Sequence, residues 1–257
     1  MDTGTSLTAD LASFLRAARA RTLTQMRPFG CGTSGGQADA GLLSADEVHE
    51  LAELARRPPP GMVICKFGSR SLVGAYKLRS DRKIILKYYH PTGVMKRLTY
   101  GLRGSRCHRS WIAALGMRHA GLPTPAPLAL AEWTVGCWWN RGFLATALAE
   151  GITLSEWVAA RHGDVAALRS MAETLRDIFG IMASGRIVHG DLKATNLIVD
   201  VSDRPALVDL DAVSFSVPMG QWEKLRVRDQ RIFESNWRNS PPEVAGVFTG
   251  LFTANAR

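Results

Sequence analysis

The sequence predicts an α+β fold in which a small antiparallel sheet is followed by a mainly helical part. Three short runs rich in β-branched and aromatic residues, MVICKF (62–67), LVGAYKL (72–78) and KIILKYY (83–89), are separated by the turn segments GSRS and RSDR. That alternation is the signature of a three-stranded antiparallel meander. After Gly151 the period changes. TLSEWVAARH (153–162) and DVAALRSMAETLRDIFGIMASG (164–185) place apolar residues three and four apart, which is helical spacing.

The other elements follow from local signals. SRCHRSWIAALGMRHAG (105–121) reads as a helix ended by Gly121 and then by Pro123 and Pro125, because glycine caps a helix and proline cannot continue it. PLALAEW (127–133) and GFLATAL (142–148) read as two further strands, and WEKLRVRDQRIFESNW (222–237) as a polar-faced helix. Ahead of the meander, residues 8–25 carry Leu11, Phe14, Leu15 and Ala18 on one helical face. Ser44 and Glu47 form a capping-box pattern at the start of a helix that Pro58–Pro60 stops. Between them Gly30–Gly41 is rich in glycine and small polar residues and reads as a flexible linker. The expected organisation is therefore a helical arm and linker over 1–60, a sheet-rich lobe over 61–149 and a helical lobe over 150–257.

Bulk properties narrow the function classes. No run approaches the roughly 20 apolar residues of a membrane span, and the first residues lack the basic-then-apolar pattern of a secretory signal. A cytoplasmic protein is expected. Cys31, Cys65, Cys107 and Cys137 form no C-x-x-C pair, so neither a zinc site nor a disulfide framework is indicated. The net charge is +9, with nine lysines and arginines between Arg79 and Arg109, among them Lys96, Arg97, Arg103 and Arg106. Such a surface attracts anionic partners. No RNA- or DNA-binding motif accompanies it, so nucleic acid is not the expected partner. Oligomeric state is not legible.

Chemistry concentrates in His189-Gly-Asp191-Leu-Lys193-Ala-Thr-Asn196, followed by Leu-Ile-Val and then by Leu-Val-Asp209-Leu-Asp211. Phosphoryl transfer to a hydroxyl needs a group that orients the acceptor and takes its proton, ligands for magnesium, and cations against the phosphates. Magnesium favours hard oxygen donors. A five-residue step from Asp191 to Asn196 fits a loop that turns a base and a metal ligand toward one pocket, and the strand ending at Asp209 delivers a second ligand. This is the kinase catalytic-loop pattern, with LVDLD where protein kinases carry D-F-G. It makes the expected fold bilobal and protein-kinase-like.

Upstream, Lys87 lies in the third strand of the meander, behind apolar residues and on the face of Ile85. A lysine there can reach the α- and β-phosphates of ATP; Lys83 is the alternative. The segment Phe67–Gly74 stands where kinases place a phosphate cover, although it is not G-x-G-x-x-G. Gly68 and Ser69 are candidate amide donors to phosphate, with an ordinary hairpin loop as the equal reading. On a kinase layout the backbone of Ala147 and Ala149 would meet the adenine edge.

The order of these pieces resembles the lipopolysaccharide core kinases, bacterial enzymes that phosphorylate Kdo or heptose sugars of the inner core. The resemblance covers about residues 61–240. It is carried by the basic helix with Trp111 that leads into Gly121-Leu-Pro-Thr-Pro125, by HGDLKxxN, by the D-L-D strand end, and by Arg228-Asp-Gln-Arg231 through Asn236-Trp237. It implies an ATP-dependent kinase acting on a sugar or glycolipid. Asp191 is then the base and Lys193 the stabiliser of the transferred phosphate. Asn196 and Asp209 are the magnesium ligands, and Lys87 is the ATP lysine. His189 is implied to hold the loop, and Asp211 to orient it or assist the metal, a helix cap or a surface acid being the equal reading. An anionic inner-membrane surface becomes an expected partner and gives the basic cluster a role, at roughly 1 kcal/mol per charge.

One departure stands out. Kinases pair the strand lysine with a glutamate on the following helix, and Ser105–Ala120 holds no Asp or Glu. Lys87 then needs another partner, Asp209 or ATP itself, and two readings follow: a pseudokinase or regulatory nucleotide binder, or a kinase whose acid comes from elsewhere, such as Glu132. Another small molecule or a protein remains an alternative acceptor.

Overall fold

A computed structural model describes residues 3–20, 26–30, 35–90, 105–135 and 138–252. In chain order the elements are α1 (Thr3–Arg19), β1 (Met26–Gly30), β2 (Gly35–Asp39), α2 (Ala45–Leu54), β3 (Val63–Phe67), β4 (Ser71–Lys77), β5 (Lys83–Tyr89), α3 (Arg106–His119), β6 (Pro127–Val135) and β7 (Trp138–Ala147). There follow β8 (Ile152–Thr153), α4 (Leu154–Ala160), α5 (Val165–Ser184), β9 (Leu197–Val199), β10 (Pro205–Leu207), α6 (Met219–Ser235) and α7 (Pro242–Phe248). The chain divides into two compact units. A sheet unit takes residues 17–115 and 125–148, and a helical unit takes residues up to 16, 116–124 and 149 onward.

The sheet unit is built on seven antiparallel strands in the order β1-β2-β6-β7-β5-β4-β3. Along β5, Ile84, Leu86 and Tyr88 enter the core while Ile85 and Lys87 on the other face stay half-buried. That is the period of two expected of a strand. The core face is covered by α2, whose Leu51 and Leu54 pack with Leu86, Tyr88 and Phe143. Tyr88 Oη donates to the Leu54 carbonyl at 2.8 Å, and burial pushes its phenol pKa up.

The arm and linker expected before residue 61 take a different form. Gly35–Asp39 is a strand, paired to β1 on one side and to β6 on the other. The capping box forms as the sequence indicates, with Glu47 N donating to Ser44 Oγ and Ser44 N to Glu47 Oε2. Glu47 also accepts from Ser80 Oγ at 2.7 Å and pairs with Arg82 at 3.0 Å, and Glu50 accepts the Arg79 amide at 3.1 Å. These bonds tie α2 to the β4–β5 turn. The glycines and small residues of β2 carry no strand signature of their own; pairing on both edges decides the matter, as tertiary context does for β-structure generally.

In the helical unit, α5 buries Leu168, Met171, Leu175, Ile178, Phe179 and Met182, spaced three and four apart. Phe179 meets Phe233 of α6 edge-on, and Trp237 stacks on Phe248 of α7. The first turns of α1 belong here too. Leu11 and Leu15 are buried, Asp10 lies 2.8 Å from His119, and Phe14 stacks on the His119 ring. The first sixty residues thus serve both units.

Because Leu51 is fully buried under the sheet, Leu51→Ala should cost about 2–5 kcal/mol, the range for a buried leucine truncation. Denaturant unfolding measures it, and a loss near zero would return α2 to the status of a detached arm.

Candidate active site

The motif 189–196 lies in the helical unit as a loop pinned at both ends. Upstream, Val188 and Ser214 exchange amide–carbonyl bonds of 2.9 Å in an isolated bridge. Downstream, Ala194–Asn196 forms one 3-10 turn that runs into β9. Between them the chain turns through Gly190, whose φ is +83° and whose absent Cβ would lie 2.7 Å from the Ala212 carbonyl oxygen. Only glycine suits that conformation and that clearance.

The loop is anchored from below by Asp229 of α6. Its carboxylate is 2% exposed and accepts the His189 amide at 2.7 Å and the Gly190 amide at 3.0 Å and 3.1 Å. Burial pushes the Asp229 carboxyl up, and these amides oppose the shift. His189 is fully buried, and burial lowers its imidazole pKa against the attraction of Asp229. Its Nε2 lies 3.1 Å from the Val208 carbonyl. A carbonyl can only accept, so the neutral ring carries its proton on Nε2.

Val208 binds the motif to the strand end. Its carbonyl takes the histidine, and its amide donates to the Asn196 carbonyl at 2.9 Å. The next residue, Asp209, adopts a left-handed conformation (φ 56°, ψ 57°) before the 3-10 turn Leu210–Ala212. A non-glycine residue in that region costs about 1–2 kcal/mol, and such residues gather at functional sites. Asp211 lies within the same turn, half-buried. β10 is tied to the G-L-P-T-P segment: the Leu207 amide donates to the Pro123 carbonyl at 2.8 Å, and Thr124 Oγ1 donates to the Leu207 carbonyl at 2.7 Å.

Within the loop the structure brings three of the expected residues together. Lys193 Nζ sits 2.8 Å and 3.0 Å from the two carboxylate oxygens of Asp191. Asn196 Nδ2 donates to the Asp191 backbone carbonyl at 2.8 Å, with the Asp191 carboxylate at 3.4 Å. Since both neighbours are acceptors, the Asn196 amide group faces them with its nitrogen, and its oxygen points away. Asp191 and Lys193 are both solvent-accessible, with side chains 37% and 52% exposed. The arrangement presents a carboxylate, an ammonium and an amide oxygen on one short turn. The outward Asn196 oxygen and the Asp209 carboxylate are hard donors of the kind magnesium takes.

The remaining candidates are distributed otherwise. Lys87 sits mid-β5, paired across the sheet with Val73 and Leu144, and its Nζ lies 5.2 Å from the Tyr89 ring centroid. Lys83 is exposed at the start of the same strand. Gly68 donates its amide to the Ser71 carbonyl at 3.1 Å, closing the β3–β4 hairpin, and Ser69 is exposed at the tip. The Ala147 amide is committed to the Ala126 carbonyl at 2.8 Å. Ala149 is half-buried at the first position of the helical unit's main segment. In the basic cluster, Arg79 and Arg82 pair with Glu53 and Glu47, and Arg106 and Arg109 are half-buried. Lys96, Arg97, Arg103, Cys31 and Cys137 lie outside the described residues. Cys65 is an exposed thiol and Cys107 a buried one. Among the described residues no helix is long and apolar enough to cross a membrane.

Sequence reasoning missed Asp229. Its signal was present in Arg228-Asp-Gln-Arg231, where one acid sits among basic residues on a helix, but nothing in spacing says that it reaches back forty residues.

Comparison with known proteins gives one family. The profile of the lipopolysaccharide kinase (Kdo/WaaP) family matches residues 74–229, a segment that begins in β4 and ends at the loop anchor itself. No curated protein matches the chain. Among solved structures, one described as WaaP in complex with acyl carrier protein is similar at 15% identity, over 66% of this chain and 68% of that chain, with a TM-score of 0.47.

Asp229→Ala should leave the buried His189 amide unpaired, at about 1–3 kcal/mol, and free the half-buried Gly190 amide as well. Thermal unfolding and amide exchange at His189 and Gly190 read the outcome. Unchanged protection at both amides would show that the loop holds its shape without α6.

Proposed function

Because this chain belongs to the lipopolysaccharide kinase (Kdo/WaaP) family, whose members are kinases, we propose that it transfers the γ-phosphoryl group of ATP to a sugar hydroxyl of a glycolipid, with Asp191 as the base. The observation that carries this reading is the cluster of Asp191, Lys193 and Asn196 on one anchored turn.

In the proposed step the Asp191 carboxylate accepts the hydroxyl proton of the sugar. The freed oxygen forms its bond to the γ-phosphorus as the bond to the β–γ bridging oxygen breaks, and ADP departs. Little covalent chemistry is asked of the protein in such a transfer; positioning and charge stabilisation do most of it. Lys193, already against Asp191, faces the phosphoryl oxygens as charge develops on them. Asn196 through its outward oxygen and Asp209 through its carboxylate would hold magnesium, which neutralises the phosphates when bound. Lys87 is the proposed partner of the α- and β-phosphates. Gly68, Ser69 and the backbone of Ala147 and Ala149 are the proposed remaining nucleotide contacts. The Ala147 amide already serves the sheet, so adenine would meet Ala147 through its carbonyl.

The acceptor class follows from the family, and Kdo or heptose is the proposed sugar. A net charge of +9 suits an acceptor rich in carboxylate and phosphate, presented at the anionic inner face of the cytoplasmic membrane.

Incubation with magnesium-ATP and lipopolysaccharide core should incorporate phosphate into the sugar. Asp191→Asn should lower turnover by about 10²–10⁴-fold, the usual contribution of a positioned base, while leaving nucleotide affinity within a fewfold. Wild-type turnover in that variant would overturn the base assignment. Asp209→Asn should instead weaken nucleotide binding only when magnesium is present, and equal affinities with and without the metal would remove its role.

A further inference from the structure

The lysine of β5 needs a carboxylate to hold its ammonium in place, and helix α3 has none to give: RCHRSWIAALGMRH contains no acid. Kinase catalysis requires that ion pair. The register of the sheet shows where an acid is available.

Directly paired residues share a face of a sheet, as do residues two apart along a strand. Lys87 pairs with Leu144, which pairs with Leu130; one step along, Tyr89 pairs with Gly142, which pairs with Glu132. Lys87, Tyr89, Leu130 and Glu132 therefore lie on the same face, across β7 from one another. Glu132 is two strands from β5, about 9–10 Å across, and one side-chain step along it, a span that a four-carbon lysine stem and a glutamate can bridge. Lys87 already leans along its strand in that direction, with Nζ 5.2 Å from the Tyr89 centroid. Between the two rows stands Gly142, where a Cβ would lie 2.5 Å from Cys107 Cβ, so the first turn of α3 rests directly on this patch.

Glu132 is no ordinary strand residue. It is 3% exposed, and a buried carboxylate is retained only with cationic or hydrogen-bonding partners. It accepts the hydroxyl of Ser105, which in turn accepts the His108 amide at 2.9 Å, and His108 Nδ1 lies 3.7 Å from its other oxygen. The first turn of α3 thus fixes the carboxylate from above.

We propose that Glu132 of β6 is the positioning residue for Lys87, replacing the helix-borne glutamate of other kinases, with Ser105 and His108 setting its orientation. The inference rests on the reading of Lys87 as the lysine that holds the nucleotide phosphates. The competing account is purely structural, with Glu132 serving only to fix the start of α3.

Magnesium-ATP binding to the full chain, measured by calorimetry without any acceptor, separates these. Glu132→Gln keeps the size and the Ser105 bond but removes the charge, and should weaken binding about tenfold or more, as expected for coupled charged neighbours. Lys87→Met should weaken it similarly, and the double variant no further. Glu132→Asp, which keeps the charge, should lose less than Glu132→Gln and guards against a fold defect in the latter. Ser105→Ala should lower thermal stability more than affinity. Losses that add in the double variant, or affinity unchanged in Glu132→Gln while Lys87→Met loses it, would overturn the inference and leave the Lys87 reading standing. Unchanged affinity in Lys87→Met would overturn both.

Discussion

The loop of residues 189–196 depends on one buried carboxylate. Asp229 lies 2% exposed beneath the His-Gly pair and accepts both of its amides. A charged acceptor roughly doubles the strength of such bonds. From that anchor the rest follows in sequence. The fixed His189 donates to Val208, Val208 donates to Asn196, and Asn196 donates to the Asp191 carbonyl. Asp209, next after Val208, receives its left-handed backbone at the end of the same chain of bonds. Every polar group in this relay is short and backbone-directed, so the loop has few alternative shapes in which its side chains would separate.

Much of this is legible in the sequence, for a physical reason. A loop that must place a carboxylate, a lysine and an amide within five residues leaves little freedom of spacing, so the motif by itself singles out Asp191, Lys193 and Asn196. Helices α3, α4, α5 and α6 and strands β3 to β7 are legible too, since each is a run of strand-forming or helix-spaced apolar residues bounded by turn and capping signals. Asp229 is not, because its partner is a backbone amide forty residues away, and a backbone amide has no sequence identity. Thr124 shows the same blindness: the G-L-P-T-P pattern is recognisable, but its bond to the Leu207 carbonyl belongs to the fold.

The region before residue 61 marks the other limit. Ser44 and Glu47 announce the start of α2 correctly, yet a capping box says nothing about what the helix covers. Its buried acids Glu47 and Glu50 receive Ser80, Arg82 and the Arg79 backbone amide, so Arg82, one of the basic cluster, also serves as an internal fastener. A charge count gives the field around a protein. It does not say which charges are already spoken for.

The placement of Glu132 on a strand has a consequence for control. Where the lysine's partner rides on a helix, movement of that helix makes and breaks the pair, and regulation acts through it. A strand hydrogen-bonded on both edges has no comparable motion, and β6 is paired to β2 and β7. With the acid on β6, the backbone that carries the partner of Lys87 would stay in place, and α3 would act on the pair only through the hold of Ser105 and His108 on the carboxylate. Beyond its first turn the helix then has a packing role, which suits its composition: Trp111, Ile112, Leu115 and Met117 are all buried.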